Sequence, residues 1–197
     1  MYVIHPKKLI YLANPKTGST SFGLYWLRER FNFAGTEGTN VPQGQLVVTS
    51  DQFPTWRWGN HHGMDKQYFD QLKTRGYTSF TVIRNPWDHA VSWYHGSGRA
   101  NVDFDHFLKN FDEIVHYTLP DSQPGNPQVL TKWADKVAHF ENLESDLSEI
   151  MGEKVSLGRY NESRNRKSYQ EYYNEETKQL VAHLYRQFLL DFPYYEF

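Results

Sequence analysis

The sequence predicts an α/β fold: three layers, αβα, around a central and mainly parallel sheet. Three observations carry that expectation. Apolar runs of strand length alternate with segments of helical period, which is the pattern of strands joined by crossover helices. Two of the strands stop at an Asn-Pro pair, Asn14-Pro15 and Asn85-Pro86, and a helix follows each, after a short polar turn in the first case. The chain has 197 residues, 39% of them hydrophobic and 17% aromatic, enough to build a core as one domain over 1–197.

Leu9-Ile10-Tyr11-Leu12-Ala13 reads as a short buried strand. The spacing of Phe22, Tyr25, Trp26 and Leu27 predicts a helix from Ser19 to about Phe31, with Arg28, Glu29 and Arg30 on its polar face. Residues 32–45 hold several glycines and prolines and read as a loop, and Leu46 to Thr49 as a second strand. Asp65 to Arg75 is a helix ended by Gly76. Thr78 to Ile83 is β-branched and aromatic, a clear strand. Trp87 to His95 follows as a helix with Pro86 near its first position. Phe104 to Phe111 reads as a further helix, Val137 to Phe140 as a strand, and Asn142 as the cap of a helix bearing Leu143, Leu147, Ile150 and Met151. One long helix spans Glu175 to Asp191, with Leu180, Val181, Leu184 and Phe188 on one stripe.

In such sheets ligands sit at the carboxyl ends of the strands, where the two Asn-Pro turns fall. After the first lies Pro15-Lys16-Thr17-Gly18-Ser19-Thr20. A helix amino terminus offers backbone N–H groups and a partial positive charge. Gly18 allows close approach, Lys16 adds a full charge, and Thr17, Ser19 and Thr20 add hydroxyls. The plain alternative is a capped helix with a surface lysine. After the second turn come Arg84, at the strand end, and Ser92, eight residues on in the helix. A guanidinium fork suits a terminal phosphate. The plain alternative here is an Arg84–Asp88 pair with Ser92 as helix surface.

Together "PKTGST" and "VIRNPWDHAVSWY", in that order, resemble the 5′-phosphosulfate loop and the 3′-phosphate motif of PAPS-dependent sulfotransferases. The second has Arg-x-Pro with Ser six residues after the Pro. "VAHFENLESDL" and the aromatic-rich carboxyl-terminal segment are similar to the carbohydrate-type and bacterial branch of that family. The resemblance implies a P-loop-like sulfotransferase fold. It also implies 3′-phosphoadenosine 5′-phosphosulfate (PAPS) as donor, PAP as product, no metal, and an acceptor hydroxyl on a carbohydrate or other small alcohol. Pro15, Lys16, Thr17, Gly18, Ser19 and Thr20 then hold the 5′ end, with Lys16 catalytic, and Arg84 and Ser92 hold the 3′-phosphate. Relatives place a basic loop over that phosphate; here that loop carries Arg164, Arg166 and Lys167, with Arg164 and Arg166 as the candidate ligands and an exposed charge run as the plain alternative. They also place a His base between the two motifs. His62 is the expected base and His61 the fallback. Trp56 and Trp58 are candidates to stack on a sugar, with core packing as the alternative.

Other classes fit less well. A small P-loop metabolite kinase needs Gly-Lys-Ser/Thr at the end of its loop and an acidic Mg²⁺ ligand, and neither is evident. A non-catalytic nucleotide- or glycan-binding module on the same scaffold predicts a lost lysine or base, whereas Lys16 and both histidines are present. A zinc site at His61-His62 lacks further ligands at helical spacing. The net charge of -2 gives no global field for nucleic acid. There is no cysteine, so no thiol chemistry. No secretory apolar run follows Lys7-Lys8, and none approaches the ~18 residues of a membrane span, so a cytoplasmic protein is expected.

Overall fold

A computed structural model describes residues 1–31, 33–36, 46–48, 66–96, 102–118, 127–158 and 166–197. The fold is α/β with a mixed sheet. Its strands are β1 (Tyr2–Ile4), β2 (Leu9–Leu12), β3 (Phe33–Thr36), β4 (Leu46–Val48), β5 (Thr78–Ile83) and β6 (Lys136–His139), in the order β3-β4-β1-β2-β5-β6. Pairing is parallel for β2–β5, β5–β6 and β3–β4, and antiparallel for β1 with both β2 and β4. Among these six strands β1 alone therefore runs against the rest.

The chain forms two compact units, each discontinuous in sequence: Met1–Ile83 with Leu130–Asn161, and Arg84–Val129 with Glu162–Phe197. The first unit contains the sheet, a π-helical stretch Thr20–Leu27 that continues into α1 (Arg28–Phe31), α2 (Lys66–Thr74) and α6 (Leu143–Met151). On one face of the sheet Tyr2, Tyr11 and Phe80 form an aromatic row across β1, β2 and β5, with ring centroids 5.6 and 5.1 Å apart. Phe22, Leu27, Leu147 and Met151 close over that row from the helices. Val3, Ile10, Leu12 and Ile83, which alternate with the row, are also buried. The strands β1, β2 and β5 are thus buried on both faces, as the middle strands of a mainly parallel sheet should be.

The second unit contains α3 (Pro86–Gly96), α4 (Phe104–Lys109), α5 (Phe111–Thr118), α7 (Glu175–Leu184) and α8 (Arg186–Asp191). Trp93, Phe104, Phe107, Phe111, Tyr185 and Phe188 are buried there.

Several elements depart from the expectations. β1 was not legible because three apolar residues carry no period; it is held by ladders on both sides. The segment 32–45 contains β3, an edge strand, despite its glycines. The helix expected from Phe104 to Phe111 is two helices parted at Asn110, whose side-chain amide donates to His106 O at 2.9 Å. The long helix expected from Glu175 to Asp191 is likewise parted at Tyr185, which leaves helical geometry (φ -111°) with its ring fully buried. After the first loop the turns are wider than α. Gly23 lies there against the Tyr2 ring, where an added Cβ would come within 2.5 Å of ring carbon. A glycine that looks costly in a helix is thus the residue that lets this helix seat on the sheet.

Candidate functional site

β2 and β5 are parallel neighbours, with Leu12 opposite Thr81, so the strands that precede the two motifs run side by side in the same direction. The first motif segment is Pro15 to Thr20. Asn14 braces its base and is fully buried. Its side-chain amide donates to Thr81 Oγ1 at 3.1 Å and to Val82 O at 3.2 Å, and its Oδ1 accepts from Leu130 N at 3.3 Å. Thr17 Oγ1 donates back to Asn14 O at 2.8 Å. That hydroxyl was expected to face an anion; it serves the loop's own geometry, and Thr17 is fully buried.

Lys16 and Gly18 both have positive φ, 62° and 82°. Alternation of left-handed residues along a turn aims successive backbone N–H groups into one concavity, a form that binds anions. For Lys16 this conformation is strained, of order 1 kcal/mol for a residue with a Cβ. Gly18 meets a second constraint: an added Cβ would lie 2.9 Å from Leu143 Cδ2 and 3.4 Å from Phe140 Cε2. Phe22 N donates to Gly18 O at 3.0 Å and closes the first helical turn. Ser19 is buried, while Lys16 and Thr20 are half-buried.

The second segment begins at Arg84. Gln128, fully buried, satisfies both of its backbone groups: Arg84 N donates to Gln128 Oε1 at 2.8 Å, and Gln128 Nε2 donates to Arg84 O at 2.7 Å. Asn85 caps α3, its Oδ1 accepting from Trp87 N at 3.0 Å and Asp88 N at 3.3 Å, with Pro86 at the first helical position. Arg84 Nε donates to Asp88 Oδ2 at 2.6 Å, and both side chains are largely buried. Ser92 lies one turn beyond Asp88 on the same side of α3 and is buried.

Arg166 arrives from the carboxyl-terminal segment. Its Nη2 pairs with the other oxygen of Asp88, Oδ1, and donates to Asp88 O at 3.3 Å. Three further contacts fix that segment to α3. Tyr172 Oη is 2.7 Å from His95 Nε2, Tyr173 Oη donates to Trp87 O at 2.8 Å, and Trp87 Nε1 donates to Lys178 O at 3.0 Å. Burial, reinforced by the Asp88 carboxylate, pushes the Tyr173 phenol far above its ordinary pKa, so it stays a donor. Farther along, His89 Nδ1 and Tyr185 Oη meet at 2.6 Å in a fully buried pair that pins α3 from below.

Arg84, Ser92 and Arg166, expected at one phosphate, are thus found on or against α3. Asp88, expected only as an alternative partner for Arg84, joins both arginines. Trp56, Trp58, His61, His62 and Arg164 lie outside the described residues. Sequence reasoning missed Asn14, Asn85 and Gln128. The repeated Asn-Pro at the strand ends was a usable signal for the first two. Among the described residues no cluster of three or more His, Asp or Glu could hold a metal, and no helix is long and apolar enough to cross a membrane. In comparisons with known proteins, no family model, no curated protein and no solved structure matches the chain.

Proposed function

We propose that the protein is a PAPS-dependent sulfotransferase on a three-layer, P-loop-like α/β scaffold. The observation that carries this reading is the gathering of Arg84 and Arg166, distant in sequence, at the first turn of α3, with Ser92 one turn on. Two guanidiniums and a hydroxyl are a phosphate-binding set. The left-handed conformation of Lys16 beside Gly18 adds support, since such strain clusters at ligand sites.

In this reading the Pro15–Thr20 loop holds the 5′-phosphosulfate, and Arg84, Ser92 and Arg166 hold the 3′-phosphate, which ATP lacks. The acceptor oxygen forms its bond to sulfur as the bond from sulfur to the 5′-phosphate oxygen breaks. The bonding electron pair stays on that phosphate oxygen. Lys16 and the loop N–H groups stabilise the charge that collects there. The acceptor's proton passes to His62, with His61 as the alternative base. The acceptor is a carbohydrate or another small alcohol.

Thermal shift tests the donor. PAP should raise the melting temperature clearly more than ATP with Mg²⁺ at equal concentration, since anything that binds the native state stabilises it by mass action. A larger shift with ATP and Mg²⁺ would replace this reading by that of a metabolite kinase.

A further inference from the structure

We propose that Asp88 is a positioning residue whose carboxylate bridges Arg84 and Arg166 and sets their two guanidiniums side by side as one clamp for a terminal phosphate. This rests on the 3′-phosphate reading of the site and goes beyond it, since a carboxylate is the group an anion site would ordinarily avoid.

The geometry makes its presence intelligible. Oδ2 takes Nε of Arg84, and Oδ1 takes Nη2 of Arg166, so each oxygen is committed to a different arginine. The three side chains are 8%, 19% and 17% exposed for Arg84, Arg166 and Asp88. Two guanidiniums brought together at that burial repel strongly unless a countercharge lies between them. Asp88 supplies it and leaves the trio with a net positive charge, still attractive to an anion. Its own place is fixed independently of the arginines. Asn85 Oδ1 receives its backbone N–H, and the amino-terminal turn of α3 favours a negative charge there. Arg166 gains a second hold through Asp88 O, which fixes its approach as well as its charge. A single short side chain therefore ties the strand-end arginine to the carboxyl-terminal segment. Ser92 lies one turn on along the same side of the helix.

Two outcomes separate this from the simpler idea that Asp88 merely fills the phosphate's place. As a placeholder, its neutralisation would free the arginines and tighten anion binding. As a positioning residue, its neutralisation lets the guanidiniums part and weakens binding, although the site becomes more positive.

Calorimetric titration of PAP and of adenosine 5′-phosphate into the wild type, Asp88→Asn, Asp88→Ala and Asp88→Glu decides between them, with melting temperature recorded for each. Loss of aligned charge-assisted bonds should weaken PAP binding about tenfold or more in Asp88→Asn and Asp88→Ala. Adenosine 5′-phosphate, which has no 3′-phosphate, should bind these variants as it binds the wild type, and Asp88→Glu should recover part of the PAP affinity. Unchanged or tighter PAP binding by Asp88→Asn overturns the proposal, as does an equal loss for both nucleotides. If Asp88→Ala does not fold, Asp88→Asn and Asp88→Glu carry the same comparison. A wild type that binds the two nucleotides equally removes the 3′-phosphate reading itself, and the proposal with it.

Discussion

Lys16 holds a backbone conformation that glycine would adopt without strain. Its charge is what the proposed chemistry needs, and its Cβ is what the turn tolerates least. The two demands predict opposite effects of one substitution. Lys16→Gly should stabilise the fold by about 1 kcal/mol, by relieving the left-handed strain. It should also abolish most sulfuryl transfer, by removing the cation at the leaving phosphate. Denaturant unfolding and transfer of labelled sulfate from PAPS measure the two effects. A variant that is less stable than the wild type would contradict the strain argument. At this scale the sequence draws attention to charged residues and passes over neutral ones. Lys16, Arg84 and Arg166 stand out in it because an anion site would need cations. Gln128 does not, because nothing in a loop glutamine reveals that it will close both backbone groups of Arg84. Thr17 shows the converse: a hydroxyl in a phosphate-like loop was expected outward and is used inward.

Among the elements, β5 and β6 hold the sheet edge from which the second motif departs, and Asp135 anchors their amino-terminal ends. Its Oδ2 accepts from Ser79 N at 2.6 Å and from the Ser79 hydroxyl at 2.7 Å, and it pairs with Lys73 of α2. Burial pushes this carboxyl up, but the bonds from Lys73 and Ser79 outweigh it, so its pKa lies below the usual value. A lowered carboxylate adds stability above its unfolded pKa, and that stability is lost as pH falls through the folded one. Unfolding by denaturant should therefore show a stability loss below about pH 4 to which Asp135 contributes. Asp135→Asn should be less stable at neutral pH and show a flatter decline in acid. An equally steep decline in the variant would mean that other carboxylates govern the acid limb. The elements best read from sequence were those with a full period. β5 was expected over Thr78 to Ile83 and is found there. β1 and the breaks at Asn110 and Tyr185 depend on pairing and burial that local pattern does not encode.

At the scale of the whole molecule, a net charge of -2 offers a polyanion no general attraction, so any anion site must be built locally. The α/β class followed from the alternation of strand and helix. The strands that precede the two motifs, β2 and β5, pair directly and in parallel. The division into two compact units was not legible, since each is assembled from two separate stretches of chain that no local signal links. The central claim is that this scaffold reads a 3′-phosphate. It is tested most directly by the ratio of affinities of the wild-type protein for PAP and adenosine 5′-phosphate, measured by calorimetry at one ionic strength. A charge-assisted clamp predicts PAP tighter by about tenfold or more. Equal affinities would contradict the account.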